Sequence, residues 1–289
     1  MPDGLIDLHT HSAVSDGTET PTQLIHAAVA AGLSTVALTD HDSTAGWQEA
    51  FTAAKGTGIT VIPGMELSTN YGPASVHVLA YLFDPNNGEV VAETARIRDG
   101  RLRRAERIVE KISADFDLTW DDVLAESSDG TTLGRPHIAD ALVRKGFVPN
   151  RSAAFESILH WRGGYYEKYY APSPVEGVRM IVAAGGVPVL AHPATHGRYR
   201  PMDERVIGDL AGAGLFGLEV GHRDNTEDGK RRLRVLAKKF GLEITGSSDY
   251  HGEGKPNRLA ENSTSADVLA KLVERGSGTA PYVGTPHRG

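Results

Sequence analysis

The feature that most constrains this chain is a recurrence: short apolar runs that end, one after another, in histidine or a carboxylate. The runs lie at 5–8, 35–39, 60–63, 76–81, 187–191, 216–220 and 243–246. The first leads through Asp7-Leu8-His9-Thr10-His11 and the second ends Thr39-Asp40-His41-Asp42. The third ends Gly64-Met65-Glu66, the fourth carries His77, the fifth ends His192-Pro193, and the seventh leads to Ser248-Asp249-Tyr250-His251. Alternation along a strand puts Asp7, His9 and His11 on one face, where two imidazoles can grip one metal ion, and the next turn adds Asp16. Independent structural histidines would not collect at the same position of a repeated unit.

Helix-like text separates several of the runs, at 22–31, 45–55, 175–184 and 230–240. Strands alternating with helices predict an α/β fold with a parallel sheet. Seven candidate strands suggest a (β/α)-type barrel, whose site forms at the C-terminal ends of the strands. The pattern breaks between about 90 and 171, where helices are read at 96–111, 119–125 and 135–145 instead of strands. The expected organisation is a first barrel segment over 1–92, an inserted small helical subdomain capping the substrate over 93–171, and a second barrel segment over 172–289.

Composition decides what can hold a metal. The 289 residues include 12 histidines and no cysteine, which excludes disulfides, thiolate sites and a cysteine nucleophile. A nitrogen-and-oxygen donor set suits manganese, iron or zinc better than a dedicated magnesium or calcium cage. The net charge of −7 gives no bulk attraction for nucleic acid or anionic membranes, but a local positive site remains compatible with it. No segment approaches the roughly 20 apolar residues of a membrane helix, and the start lacks a cationic and apolar leader. The expectation is a cytoplasmic protein with no membrane association and no obligate protein partner.

Taken together, His9-Thr10-His11, Asp16, Thr39-Asp40-His41, Gly64-Met65-Glu66, His77, His192-Pro193 and Ser248-Asp249-Tyr250-His251 resemble the PHP family, named for polymerase and histidinol phosphatase. The resemblance implies a distorted (β/α)7 barrel holding three divalent ions. One ion would take His9, His11, Glu66 and Asp249; a second would share Glu66 and add His77 and His192; a third would take Asp16, His41 and His251. Six neutral imidazoles and three carboxylates around three divalent ions leave a net positive centre matched to a phosphate monoester. The implied chemistry is in-line attack of a metal-bridging hydroxide on phosphorus, with Asp16, His41, Glu66, His192, Asp249 and His251 as its catalytic residues. Asp7, Asp40 and Asp42 are read either as groups orienting the imidazoles or as caps and solvated loop residues.

Gly134-Arg135-Pro136-His137 and Gly163-Gly164-Tyr165-Tyr166-Glu167-Lys168 resemble the family branch that dephosphorylates nucleotides such as AMP or 3′,5′-bisphosphates, or trims short RNA from its 5′ end. By that resemblance Arg135 would hold a substrate phosphate, and His137 and His222 would face substrate; Lys168 and Tyr165 could line the same cleft. The run Arg96, Arg98, Arg101, Arg103, Arg104, Arg107 reads by default as a solvated helix face with Glu106 and Glu110, and otherwise as a guide for a nucleotide backbone. Asn225 stands where many relatives carry histidine, with His222 nearby as a substitute. Competing readings are a histidinol-phosphate phosphatase, a metallo-amidohydrolase, and a non-catalytic polymerase-associated module.

Overall fold

The computed structural model describes residues 4–128, 130–195 and 203–285. In chain order the elements are β1 Leu5–Asp7, α1 Pro21–Ala30, β2 Leu33–Leu38, α2 Trp47–Ala54, β3 Thr60–Tyr71, β4 Ala74–Tyr81, α3 Gly88–Ile112, α4 Trp120–Leu124, α5 Arg135–Arg144 and α6 Arg151–Glu156. They continue with α7 Pro174–Ala183, β5 Val187–Leu190, α8 Glu204–Ala213, β6 Gly217–Gly221, α9 Glu227–Phe240, β7 Glu243–Gly246, α10 Ala266–Arg275 and β8 Tyr282–Val283. Capping chemistry sets several helix starts. Thr20 and Ser173 accept a backbone N–H from the first turn of α1 and α7, with proline at the first helical position of each.

Strands β1 to β7 lie in sequence order in one sheet, with β8 pairing on β3. Among β1 to β7 pairing is parallel except at β4, which runs antiparallel to β3 and to β5; β8 is likewise antiparallel to β3. The reason is local: Gly72, in the left-handed region, makes a tight turn that joins β3 and β4 as a hairpin with no helix between them. Beyond the ends of β1 and β7, Thr10 and Tyr250 form a parallel bridge, and the His11 N–H donates to the Tyr250 carbonyl at 2.8 Å. The sheet thus curls so that its first and last strands meet beside the site. Inside it, Ile6, Leu8, Ala37, Ile62, Leu79, Tyr81 and Val189 share one buried apolar cluster.

The helices of 93–171 carry a hydrophobic cluster of their own, built from Ala105, Ile108, Ile112, Val123, Ile138 and Leu142. The expected border at 92/93 falls within α3, because that helix begins at Gly88 and spans both regions. Val90 and Ile97 pack into a barrel cluster, whereas Ala105 onward packs into the helical one. Among the described residues no helix is long and apolar enough to cross a membrane.

Candidate metal centre

The sequence delivers its donors by three local devices. β1 runs on through Leu8, so His9 and His11 emerge on one side of the closing strand. The turn after it is tight: the Gly17 N–H donates to the Ser12 carbonyl, and a Cβ on Gly17 would lie 2.4 Å from the His11 carbonyl oxygen, so only glycine lets the chain fold back and present Asp16. His192 and Asp249 sit in left-handed backbone, at φ of 30° and 55°. Such strain in non-glycine residues clusters at functional sites. The Glu219 carboxylate accepts the His192 N–H at 2.8 Å and steadies that conformation.

Glu66 lies at the centre. Its Oε1 is 2.8 Å from His77 Nδ1 and 3.1 Å from His192 Nε2. Its Oε2 is 3.4 Å from His9 Nε2, 3.2 Å from His11 Nε2 and 3.2 Å from His41 Nδ1. Asp249 Oδ1 completes a group of four donors, 3.4 Å from each of His9 Nε2 and His11 Nε2. Asp16 gathers the remaining pair, with His251 Nε2 at 3.3 Å from Oδ1 and His41 Nε2 at 3.6 Å from Oδ2. All nine residues expected to bind metal therefore lie in one contiguous cluster.

This cluster has the chemistry of a metal site. With His9 Nδ1 donating to Glu219, its Nε2 lone pair faces His11 Nε2 at 3.1 Å, and either a proton on His11 or a shared cation must lie between them. The donor separations of 3.1–3.4 Å among His9, His11, Glu66 and Asp249 match the edges of a tetrahedron whose corners lie about 2.0–2.1 Å from its centre. His41 Nδ1 and His251 Nε2 are buried and make no well-aligned hydrogen bond, although the Glu66 and Asp16 oxygens lie 3.2 and 3.3 Å away. An unpaired buried imidazole nitrogen is costly, and a bound cation relieves that cost.

The electrostatics follow from burial and crowding. Burial opposes charge on His9, but Glu219, Glu66 and Asp249 outweigh it and hold the imidazole well above its ordinary pKa. His11 is likewise pushed up to about 9 against burial, by Asp249, Glu66 and Asp16. Burial, Lys255 and His11 press His251 down to about 4. Burial would raise Glu66 and Asp16, yet His77 and His41 around the first, and His251 and His41 around the second, hold both well below the usual carboxylate range. The centre is a pool of competing histidines around stably ionised carboxylates.

Of the two readings of Asp7, Asp40 and Asp42, the hydrogen bonds favour the loop-fastening one. Asp7 accepts backbone N–H groups of Ser248 and Ala260, Asp40 accepts from the Ser12 N–H, Ser12 hydroxyl and Ser15 hydroxyl, and Asp42 accepts from the Ser68 N–H and hydroxyl. None of the three hydrogen-bonds an imidazole; they are buried fasteners of the loops that carry the donors. Burial pushes all three carboxyls up. The orienting carboxylate is Glu219, fully buried on β6, whose Oε1 is 3.0 Å from His9 Nδ1. Glu219 belongs to the apolar run at 216–220, and its position near the end of that strand is the sequence signal for it. Lys255 was missed altogether. Its ammonium donates to Asp249 Oδ2 at 2.8 Å, from a loop without sequence pattern. Glu219→Gln is expected to weaken metal binding by about 10- to 100-fold, read by titrating the metal-depleted protein; unchanged affinity would remove Glu219 from the centre.

A cleft of about 680 Å³ opens over the cluster, lined by His41, Glu66, His77, His192 and Asp249 below and by Arg135, Phe155, Trp161 and Tyr166 from the helical region above. The Arg135 guanidinium lies 5.1 Å from the centre of the Phe155 ring and 5.9 Å from that of Tyr166, between apolar walls that hold it over the centre. His137 is buried in the first turn of α5, and its Nδ1 accepts the Gly134 N–H at 3.2 Å. His222 is fully buried, its Nδ1 accepting the Asp224 N–H and its Nε2 3.4 Å from Asp249 Oδ2; it packs behind the donors and is not a cleft wall. Asn225 is structural, accepting the Ala194 N–H and donating to the Glu219 and Val220 carbonyls. Lys168 is exposed, and the Tyr165 hydroxyl donates to Asp115, away from the cleft. The arginine run is no uniformly solvated face, because Arg101 and Arg104 are buried and Arg98 donates to the Asp42 carbonyl.

The PHP domain family matches residues 7–127. A 3′,5′-nucleoside bisphosphate phosphatase from Chromobacterium violaceum is 35% identical over 272 residues, covering 93% of this chain and 95% of that protein. A 5′-3′ exoribonuclease from Haemophilus influenzae is 34% identical over 271 residues, covering 93% and 98%. Among solved structures, a protein assigned as a metal-dependent phosphoesterase from Bifidobacterium adolescentis superposes with a TM-score of 0.92 at 42% identity, over 96% of this chain and 98% of that one. The chain belongs to the PHP domain family, and its fold is that of a metal-dependent phosphoesterase.

Proposed function

We propose that this chain hydrolyses phosphate monoesters of nucleotides, using three divalent ions drawn from manganese, iron or zinc. His9, His11, Glu66 and Asp249 would hold one ion, Glu66, His77 and His192 a second, and Asp16, His41 and His251 a third. The observation that carries the reading is Glu66, whose two oxygens face two separate sets of imidazoles, as a carboxylate shared between neighbouring ions must. The relatives named as a bisphosphate phosphatase and an exoribonuclease support a nucleotide as substrate.

When bound, the ions supply positive charge against phosphoryl oxygens and a water acidified toward neutral pH. The protein does the rest. Glu219 fixes the His9 ring and the His192 backbone, so the donors need no rearrangement when substrate arrives. Arg135, a planar fork over the cleft, meets the substrate phosphate. Arg135, Phe155, Trp161 and Tyr166, from the region 93–171, wall the cleft over the centre. A two-ion amide hydrolase would leave the Asp16, His41 and His251 group without a purpose.

The test is metal analysis together with product-resolved phosphate release from AMP, a 3′,5′-bisphosphate nucleotide, short 5′-phosphorylated RNA and histidinol phosphate. About three ions per chain and nucleotide turnover are expected. At most one ion after loading, with no phosphate released, overturns the reading; preference for histidinol phosphate replaces the substrate. Arg135→Ala should raise KM by about tenfold or more, the loss of one charge-assisted contact, with the smaller effect on kcat. Unchanged constants would remove Arg135 from the substrate site.

A further inference from the structure

The region 93–171 is tied to the barrel at particular loops. The Thr132 N–H donates to the Val14 carbonyl at 3.0 Å and the Thr131 hydroxyl to the Ala13 carbonyl at 3.3 Å, both in the loop that carries Asp16. Arg98 donates to the Asp42 carbonyl at 2.6 Å, in the loop that carries His41. Asp16 is the carboxylate that gathers His41 and His251, so these ties fall on the donors of one ion position.

Arg151, at the start of α6, makes the most direct tie. Its side chain is only 10% exposed and all three guanidinium nitrogens are engaged. Nε and Nη2 donate to the two oxygens of Asp140 on α5, at 2.8 and 2.5 Å, as a planar fork. That fork aims Nη1 at the Asp16 carbonyl, 2.7 Å away. On its other side lies Gly254, three residues after His251; a Cβ there would collide with the guanidinium, so glycine lets the arginine sit against that loop. The His251 carbonyl also accepts the Thr18 N–H at 3.1 Å, which joins the two loops. Arg151 therefore holds the backbone of Asp16 and leaves its carboxylate facing His41 and His251. Asp140 offsets the arginine's charge, so the contact aims Asp16 with less repulsion of a cation nearby.

We propose that Arg151 is a positioning residue which, through the Asp16 carbonyl, sets the affinity of the ion held by Asp16, His41 and His251 and couples that ion to the packing of α5 and α6. The inference rests on the three-ion reading and deepens it. This ion is lost first when the helical region loosens, whereas the ion of His9, His11, Glu66 and Asp249 depends on Glu219. Coupling of this kind is reciprocal, so binding of the ion steadies α5 and α6 in turn.

The experiment titrates the metal-depleted full chain with manganese by calorimetry and follows hydrogen exchange of α5 and α6 with and without the metal. In Arg151→Met one binding step should weaken by about 10- to 100-fold, as for other residues that orient metal ligands, while the remaining steps hold. Asp140→Asn, which releases the fork without touching Asp16, should weaken the same step by less, and it carries the test if Arg151→Met does not fold. Glu219→Gln should weaken a different step, so the effects of the two substitutions add. Saturating manganese should protect the α5 and α6 amides in the unmodified protein and protect them less in Arg151→Met. Metal binding unchanged in the folded variants overturns the proposal, as does equal weakening of every step, which is general loosening. A raised KM with metal binding unchanged also overturns it and assigns Arg151 to the substrate. Fewer than three ions on the fully loaded unmodified protein would instead overturn the three-ion reading itself.

Discussion

Glu66→Gln is expected to lower kcat by three orders of magnitude or more and to strip the protein of part of its metal. The substitution keeps the length and shape of the side chain, so β3 and the hairpin it forms with β4 have no reason to move. The electrostatics change completely. Glu66 is 1% exposed and faces five imidazoles, of His9, His11, His41, His77 and His192, through its two oxygens. An amide offers one acceptor and turns an N–H₂ toward one of the imidazole sets, where it competes with their lone pairs. It also removes one negative charge from between two ion positions. Metal assistance contributes several kcal/mol of transition-state stabilisation, and each ~1.4 kcal/mol is a factor of ten in rate, which gives the expected scale. Metal stoichiometry and phosphate release measured on the same folded preparation check it. Full metal content with turnover within tenfold of the unmodified protein would displace Glu66 from the centre.

Much of this site was legible because a barrel repeats. Each strand ends at the same rim, so donors far apart in sequence, such as His9 and Asp249, reach one place without any local signal joining them. Seven strands, the insertion and the grouping of nine donor residues follow from that rule. What the sequence hid is what depends on direction within a turn. The buried carboxylates Asp7, Asp40 and Asp42 flank histidines in the chain, yet their hydrogen bonds run to serine and backbone N–H groups. Glu219 orients His9 across 210 positions of sequence, a relation carried only by the neighbouring strands. His137 has the sequence context of a substrate group, and its Nδ1 accepts the Gly134 N–H at the start of its own helix. The arginines of α3 illustrate the same limit. A periodic run of charges reads as a solvated face until the opposite wall is placed, and here that wall is the metal centre and the loop carrying Asp42.

That wall makes Asp42→Ala the substitution with the largest expected cost in stability. Asp42 is fully buried, accepts from the Ser68 N–H and hydroxyl at 2.7 Å each, and pairs with Arg101, while its own carbonyl accepts from Arg98 at 2.6 Å. It is therefore the point at which α3 is fastened to the loop between β2 and α2 that bears His41. Truncation leaves the Arg101 guanidinium buried beside orphaned Ser68 donors, and removing one partner of a buried pair costs about 3–5 kcal/mol. Alanine also fits poorly at a backbone φ of 51°, which aspartate and asparagine tolerate. For a chain of this size the sum corresponds to a fall in Tm of about 10 °C. Asp42→Asn should cost markedly less, since it keeps an acceptor for Ser68 and the left-handed backbone. Adding Arg101→Met to Asp42→Ala should recover part of the loss, because no uncompensated charge then remains. Thermal unfolding of the three variants under identical metal conditions decides the matter. If Asp42→Ala melts within about 2 °C of the unmodified protein, less than 1 kcal/mol by the same scaling, the fastening of α3 over the centre lies elsewhere.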